Sequence, residues 1–448
     1  MTHPPSQPEA TRTSRNPYAT VLSHPGAARF SLAGALARSP MSMVGIGIVL
    51  MIKAAHNSYA LGGQVSAAYI IAQAICSPQL ARLVDAHGQA RVMRPAVIAT
   101  ATSLTLLVAT TVIGAPIALA FLFAITTGMS IGSVGAMVRA RWTHLITNPR
   151  ELHTAYSLEA AIDEMIFVIG PIIATFLATG VSYYAGLLVP IVLVLTGGLW
   201  FLSQRATEPP VLAPDPTSPA TSVLTNPAML ALIGVFIGVG GLFGATDVAT
   251  LAFAEEQGDK ALAGIILGIF ALGSCISGLA YGARQWASPV WLRFLIGIIG
   301  LAIGATMFFF ATTVWALAAI MFVTGLTISP TLINVNNMVR LVVTPRQLTE
   351  GLTWVSTALG VGVAAGSSLA GARIDAGDAH AGFTVVIASA ALSVVVAIAA
   401  LSTIRTRTMA PERIIDELTE DDLLEEINTT QLDGGPDAEA GKNSAPAP

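Results

Sequence analysis

The sequence predicts an all-α membrane protein with twelve transmembrane helices in two six-helix pseudo-repeats, and three observations support this prediction. Hydrophobic residues make up 54% of the 448-residue chain and charged residues only 11%, with a mean hydropathy of +0.71, which is too apolar for a soluble protein. A transmembrane helix takes about 20 residues, so this length leaves room for roughly a dozen spans. Short sequences also recur in both halves of the chain, which indicates an internal duplication.

The first half of the chain contains a polar arm and six predicted spans. Residues 1–38 lack the apolar core and cleavage site of a signal peptide, so we predict a cytoplasmic N-terminal arm there. The first six-helix bundle, residues 39–203, has spans predicted at about 41–60, 64–84, 95–113, 117–138, 156–177 and 183–203.

A linker divides the chain before the second bundle. Residues 204–225 are rich in proline, serine and threonine, and we predict a central cytoplasmic linker there. The second bundle, residues 226–402, has spans predicted at about 229–252, 261–283, 290–311, 314–338, 352–372 and 381–402.

The distribution of basic residues predicts the orientation in the plasma membrane. If both termini are cytoplasmic, only Lys53, Lys260 and Arg373 lie in outer loops or deep in a span, which leaves 19 of the 22 basic residues at or near the cytoplasmic side. The tail at 403–448 is acidic, with 11 acidic and 4 basic residues. Apolar residues from Ile414 to Ile427 recur there at helical spacing and predict a short amphipathic helix.

Composition and motifs exclude several other functions. The net charge of -4 and the lack of a broad basic surface argue against nucleic acid as a partner. Cys76 and Cys275 lie in separate hydrophobic stretches and indicate apolar side chains rather than a disulfide framework. The sequence contains no phosphate-binding Walker loop, zinc-protease motif or hydrolase nucleophile elbow. We therefore predict no enzyme activity, no cofactor and no metal site.

The recurring sequences match the two halves to each other. Gly128-Met-Ser-Ile131 corresponds to Gly325-Leu-Thr-Ile328 at an offset of 197, and Pro149-Arg-Glu-Leu152 corresponds to Pro345-Arg-Gln-Leu348 at an offset of 196. Asn226-Pro227 opens the seventh span as Ser39-Pro40 opens the first. Membrane transporters are commonly built from such repeats around a central site.

With these features, residues 41–402 resemble the major facilitator superfamily. The signature of the family after the second helix appears at 81–91, where Asp85 and Gly88 match it. Ala81, Ala86 and Gln89 depart from the signature. The resemblance implies that Asp85 braces an inward gate against Arg91, Arg82 or a neighbour on the fifth to eleventh helices.

Two further sequences extend the resemblance and suggest a direction of transport. Gly170-Pro171 in the fifth span resembles a pattern typical of antiporter members, which implies export. The segment Thr349–Trp354 resembles actinobacterial, efflux-type members of the family.

The resemblance implies a secondary active transporter that moves a small organic solute by alternating access, with proton-coupled export as the main expectation. Proton-coupled uptake of a sugar-like nutrient is the alternative within this class. A membrane sensor that signals through the acidic tail is an alternative from another class. The expected partners are the lipid bilayer, protons and a small-molecule substrate, and we expect a monomer.

Two carboxylates in the fifth span are the main candidates for proton coupling. An ionisable side chain inside a span costs about 2.5 to 3.5 kcal/mol on insertion scales, so each one needs a reason. Asp163 and Glu164 lie about two turns into this span. Glu164 is preferred because Glu159 lies one turn before Asp163 and suggests a structural cluster. The alternative is that the pair only holds helices together.

Other polar side chains in the spans are candidates for lining a cavity or binding substrate: Lys53, His56, Asn57, Asp247, Asn334 and Asn337. Each has an alternative interpretation. The lysine can extend along its aliphatic stem to the outer interface, Asp247 can lie at the outer boundary, and buried asparagines often link helices.

Overall fold

The computed structural model describes residues 16–211, 222–258 and 262–409. Sixteen α-helices lie within these residues, in chain order: α1 Pro17–Leu22, α2 Ala27–Arg38, α3 Pro40–His56, α4 Tyr59–His87, α5 Gln89–Val112, α6 Ile117–Ser130, α7 Val134–Leu145, α8 Pro149–Gly180, α9 Ala185–Ser203, α10 Pro227–Glu256, α11 Leu262–Ala283, α12 Val290–Met307, α13 Val314–Gly325, α14 Ile328–Val342, α15 Leu348–Asp375 and α16 Ala379–Ala399. Residues 401–409 are also helical.

The helices form the twelve membrane spans that the sequence predicts. Twelve stretches of the described chain are long and apolar enough to cross a membrane, from Ala27–His56 at one end of the sequence to Ala379–Ala399 at the other. Six of them precede the linker and six follow it. The predicted all-α membrane fold is therefore confirmed.

The first span begins earlier than predicted. We predicted an arm up to residue 38 and a span from Met41, but the apolar helical stretch begins at Ala27. Ser39 and Pro40 do not open this span but divide it into α2 and α3. Pro40 is the first residue of α3, a position at which a helix tolerates proline. Arg38, which made the segment look solvated, is only 3% exposed.

The fourth and tenth spans are interrupted at equivalent places in the two halves. α6 ends at Ser130 and α7 begins at Val134, while α13 ends at Gly325 and α14 begins at Ile328. These interruptions fall at the matched Gly128–Ile131 and Gly325–Ile328 sequences. In the first of them Gly132 has a φ of 62°, a conformation that glycine adopts without steric cost.

The two halves meet along a seam that α8 and α4 form with helices of the second half. α8 packs against α11 and α14, and α4 packs against α15. We call the end of the bundle with the C-termini of α4 and α11 and the N-termini of α8 and α15 the linker end, because the start of the linker packs there. Glu208 Oε1 accepts a hydrogen bond from Ala90 N (2.9 Å), and Arg141 Nη1 donates to Gln204 O (2.9 Å).

Two predicted segments lie outside the described residues. They are residues 212–221 of the linker and the tail from residue 410, which includes the amphipathic helix predicted between Ile414 and Ile427.

Candidate functional site

A network of buried charges lies within the first half, where α2, α7 and α8 meet. Arg38 at the end of α2 forms ion pairs with Glu159 Oε2 and Asp163 Oδ1, each at 2.6 Å. Arg139 of α7 forms a third pair with Asp163 Oδ2 at 2.6 Å. Two arginines therefore face two carboxylates of α8, and the formal charges cancel.

Neutral donors complete the shell around Glu159, which is fully buried. Ser31 Oγ donates to Glu159 Oε1 at 2.6 Å, and Trp142 Nε1 donates to the same oxygen at 2.7 Å. A buried carboxylate needs such a full set of partners to offset the loss of hydration. Glu159 and its partners therefore hold α2, α7 and α8 together.

Glu164 faces the other half of the protein. Ser274 Oγ on α11 donates to Glu164 Oε1 at 2.5 Å, and Ser274 Oγ also lies 2.9 Å from Ser329 Oγ on α14. Glu164 forms no ion pair within the described part of the chain. The structure thus gives the two predicted carboxylates different surroundings: cations for Asp163 and hydroxyl groups across the seam for Glu164.

Asp85 lies at the linker end, where it caps a helix of the second half. Its Oδ2 accepts a hydrogen bond from Glu350 N in the first turn of α15, at 2.9 Å. Gly88 ends α4 with a φ of 91°, and Arg91 is exposed. Among the residues that the structure describes, Asp85 forms no ion pair. The sequence predicts Arg91, Arg82 or a neighbouring helix as the partner of Asp85. In the structure Asp85 contacts Glu350 of the eleventh span.

The predicted asparagines lie on α14 and contact protein groups near the linker end. Asn334 is fully buried, and its Oδ1 accepts from Tyr281 Oη at 3.1 Å. Asn337 Nδ2 lies 3.4 Å from His153 Nδ1 across the seam and donates to Ile333 O at 3.1 Å. Both side chains therefore link protein groups in this conformation.

The remaining cavity candidates lie elsewhere. Lys53 and His56 are in the last turn of α3, and Asn57 ends the helix in the left-handed conformation, with a φ of 53°. Arg38, at the end of α2 in the same span, and Arg139 of α7 are the cations that contact Asp163. Asp247 is exposed on α10.

The Gly170-Pro171 pair lies where α8 crosses α3. A Cβ at Gly170 would overlap Ser42 of α3 and would lie in tight contact with Met43. Ser42 Oγ donates to Ile166 O of α8 at 3.0 Å. This glycine allows the close approach of the two helices, and Pro171 lies inside α8 without ending it.

Several residues of this region were not predicted as functional: Arg38, Arg139, Glu159, Ser274, Ser329, His153 and Tyr281. Most of their partners are more than 50 residues away in sequence, so sequence spacing does not reveal the pairs. One sequence feature points to Arg139: it recurs as Arg340 in the second half. Across residues 16–211, 222–258 and 262–409, no group of three or more histidine, cysteine or acidic side chains could hold a metal ion.

Comparisons with known proteins agree with this architecture. The family model described as Major Facilitator Superfamily matches residues 30–291 and 248–421. A search of curated proteins found no match.

Two solved structures share the fold at low sequence identity. The crystal structure of the human organic anion transporter MFSD10 (TETRAN) has a TM-score of 0.62 and 13% identity, covering 86% of this chain and 99% of that one. The crystal structure of a bacterial homologue of the iron transporter ferroportin in the outward-facing state has a TM-score of 0.65 and 16% identity, covering 84% of this chain and 99% of that one. The chain therefore belongs to the Major Facilitator Superfamily and is a multi-pass membrane transporter rather than an enzyme.

Proposed function

We propose that this protein exports a small organic molecule across the plasma membrane in exchange for protons, and that Glu164 is the group that binds and releases the proton. The observation that supports this most is that the Glu164 carboxylate contacts Ser274 of the opposite half, whereas the neighbouring Asp163 is held by two arginines of its own half.

The partners of the two carboxylates suit them to different roles. An arginine can pair only with an ionised carboxylate, so protonation of Asp163 would leave Arg139 and part of Arg38 without a counter-charge, which is costly in a buried site. A serine hydroxyl can donate to an ionised carboxylate and accept from a protonated one. Ser274 can therefore remain a partner of Glu164 in both protonation states.

The position of Glu164 links its protonation to the movement of the halves. Alternating access rocks one bundle against the other around a central site. Because Glu164 and Ser274 belong to different bundles, this motion separates them and exposes the carboxylate to water on one side of the membrane. Proton binding then becomes part of the transport cycle, as ion coupling requires.

Export is the proposed direction because Gly170-Pro171 resembles the antiporter pattern. Uptake of a sugar-like nutrient would use the same carboxylate with the opposite solute flow. Accumulation assays in right-side-out vesicles separate the two directions, since an exporter lowers the internal concentration of its substrate when energised.

The test of coupling uses purified protein in proteoliposomes. A thermal-shift screen first selects a compound that stabilises the protein. Glu164→Gln should abolish transport of this compound driven by a pH gradient but preserve counterflow, because exchange needs the rocking motion and no net proton movement. The matched control is Glu256→Gln, which makes the same change at the end of α10, where the glutamate accepts a hydrogen bond from Ala379 N of its own half at 2.7 Å.

Each outcome decides the proposal. Loss of pH-driven transport in Glu164→Gln alone, with normal counterflow, supports it. If Glu164→Gln and Asp163→Asn both keep full pH-driven accumulation, the two carboxylates are structural and the coupling proposal is wrong.

A further inference from the structure

The second half repeats an arginine of the charge network but not the carboxylates. Arg340 of α14 is the repeat counterpart of Arg139 of α7. At the offset of 196 that matches the start of α8 to the start of α15, the two carboxylates of α8 correspond to Val355 and Leu359. The cation of the network is therefore present in both halves, and its counter-charge is present in the first half only.

Most carboxylates of the second half lie at the end of the bundle away from the linker. Residues 222–258 and 262–409 contain six acidic side chains. Five of them lie in the last third of α10, at the end of α15 or next to the start of α16: Asp247, Glu255, Glu256, Asp375 and Asp378. The sixth is Glu350 in the first turn of α15, whose Oε1 accepts a hydrogen bond from Ser222 Oγ at 3.0 Å.

Two half-buried arginines of the second half form no ion pair within the described part of the chain. They are Arg293 in the first turn of α12 and Arg340 in the last turn of α14. The Nε atoms of both are buried and have no hydrogen-bond acceptor among the described residues. A charge withdrawn from water is costly unless it is paired, so these side chains suit an anionic partner from outside the chain.

Both arginines approach the same face of α8 across the seam. Arg293 Nη1 donates to Tyr281 Oη at 3.4 Å, and the Tyr281 ring packs edge to face against His153 of α8 with centroids 5.1 Å apart. Arg340 lies within electrostatic reach of Tyr156, three residues after His153 on α8. Residues three apart lie on one side of a helix. The two cations therefore belong to one region of the seam.

The neutral group nearest to Tyr281 also offers a donor. Asn334 is fully buried, and its Oδ1 accepts from Tyr281 Oη at 3.1 Å. Its Nδ2 has no acceptor within the described residues. A buried donor without an acceptor is unfavourable, whereas an acidic group has two or three oxygens that accept from several donors at once. This region of the second half thus has more donors than acceptors.

We propose that the transported solute is an organic anion and that Arg340 and Arg293 bind its acidic group when the linker end is open. This inference rests on the proposed function, to which it adds the substrate class, but it does not need proton coupling. Opening separates α8 from α11 and α14, so a solute from that side can reach the two arginines. Their planar guanidinium groups match carboxylate, sulfonate and phosphate oxygens.

The stability of the ligand-free protein tests whether Arg340 has a structural role. Arg139→Gln should lower the thermal unfolding midpoint in detergent, because it removes a partner of Asp163. Arg340→Gln should leave the midpoint unchanged or raise it, because the charge that it removes has no counter-charge in the described chain. An equal fall of the midpoint in both variants would show that Arg340 is structural and would overturn the proposal.

A panel of small acids and their uncharged counterparts tests the substrate class. It contains carboxylates such as benzoate, sulfonates and phosphate monoesters, with the matching amides and amines, and the shift of the midpoint is titrated at fixed ionic strength. Acids should stabilise the unmodified protein, and Arg340→Gln should lower their affinity by roughly tenfold or more, as expected for a lost charge-assisted hydrogen bond. The matched control is Arg407→Gln, the same change at an exposed arginine, which should keep the affinity of the unmodified protein.

Three results would each overturn the proposal. They are stabilisation by amides or amines alone, no stabilisation by any acid, and equal affinity for acids in Arg340→Gln and the unmodified protein. If Arg340→Gln does not fold, Arg293→Gln provides the same comparison with the same expected loss.

Failure of the anion site and failure of proton coupling give different results, because the binding measurement needs no pH gradient. Acid-selective stabilisation that depends on Arg340, together with full pH-driven transport in Glu164→Gln, would support the anion site and refute the coupling role of Glu164. Stabilisation by uncharged compounds alone, together with loss of pH-driven transport in Glu164→Gln, would refute the anion site and support coupling.

Discussion

Asp163 and Glu164 are adjacent in sequence, and their different partners follow from the geometry of the helix. Consecutive residues point about 100° apart around an α-helix, and α8 lies between the other helices of the first half and the seam. Asp163 is therefore directed toward Arg38 and Arg139, and Glu164 toward Ser274. One helix provides a fixed charge network and a group that can respond to the other half.

The charge network makes a prediction about stability. Asp163→Asn should lower the thermal unfolding midpoint in detergent, because it leaves Arg139, whose side chain is 11% exposed, without a counter-charge. Removal of one partner of a buried pair costs about 3 to 5 kcal/mol, and we expect the lower end because Asp163 keeps some exposure. The double variant Asp163→Asn/Arg139→Gln should recover part of the loss, and an unchanged midpoint in the single variant would contradict this role.

At the residue scale the sequence predicts the carboxylates but not their partners. The cost of placing a charge in a span singles out Asp163 and Glu164 without any structure. Arg38 is 125 positions from Asp163 and precedes Ser39-Pro40, a typical helix start, so the sequence predicts it in a polar arm. The fold places this arginine beside the carboxylates, and the ion pairs offset the free-energy cost of burying its charge in the span.

At the scale of helices, the N-terminus of α15 and the C-terminal end of α11 are two of the places where hydrogen bonds join the halves. The N-terminus of a helix carries a partial positive charge and free N–H groups, and an acidic side chain stabilises it. Asp85 provides this charge to α15 from the opposite half. The interaction exists only while the linker end is closed.

Asp85→Asn should therefore reduce transport without reducing expression. The asparagine can still accept a hydrogen bond from Glu350 N, but it lacks the charge, which is worth about 0.3 to 1 kcal/mol at a helix terminus and shifts the closed population by about two- to fivefold. Transport of the screened compound and the amount of protein in the membrane are the measurements. Normal flux in this variant would show that the altered signature loop no longer works as a gate.

Arg91→Gln is the control that separates the helix cap from an ion pair. Arg91 is exposed, so its loss should leave transport close to that of the unmodified protein. An equal loss of transport in Arg91→Gln and Asp85→Asn would indicate that the two side chains act as a pair during the cycle and would contradict the account based on α15.

The sequence repeats predict the helices better than their ends. The matched glycines, Gly128 and Gly325, lie close to the interruptions of the fourth and tenth spans, where a Cβ on either would overlap backbone atoms of α4 or α11. By contrast, α2 contains Arg29 and Arg38 and looks too polar for a span. Its place in the bundle depends on packing against α9 and α7, which a hydropathy profile of one segment does not contain.

For the whole molecule, the hydrogen bonds across the seam are individually weak. A neutral hydrogen bond contributes about 0.5 to 1.5 kcal/mol and one to a charged group about 1.5 to 3 kcal/mol. The bonds of Tyr18, Thr154, Glu164 and Asp85 are distributed over three helices of the first half, α1, α4 and α8. A transporter needs two conformations of similar free energy, so that a bound solute or proton can change which one is populated. Several weak bonds meet this need better than one strong ion pair across the seam.

The orientation of the whole protein is the last prediction, and the two ends of α11 test it. The α10–α11 turn and the α11–α12 loop lie on opposite sides of this single span. If both termini are cytoplasmic, as 19 of the 22 basic residues indicate, the first connection is external and the second is internal.

Gln257→Cys should then react with an impermeant maleimide on intact cells, and Gln285→Cys should react only after the membrane is opened. Both residues are exposed, and Gln257 is preferred to Gly258, whose φ of 88° would strain a cysteine. Both variants are made after replacement of the two free cysteines, Cys76 and Cys275, by alanine. The reverse labelling pattern would place the linker end outside the cell and would end the assignment of Asp85 to an inner gate.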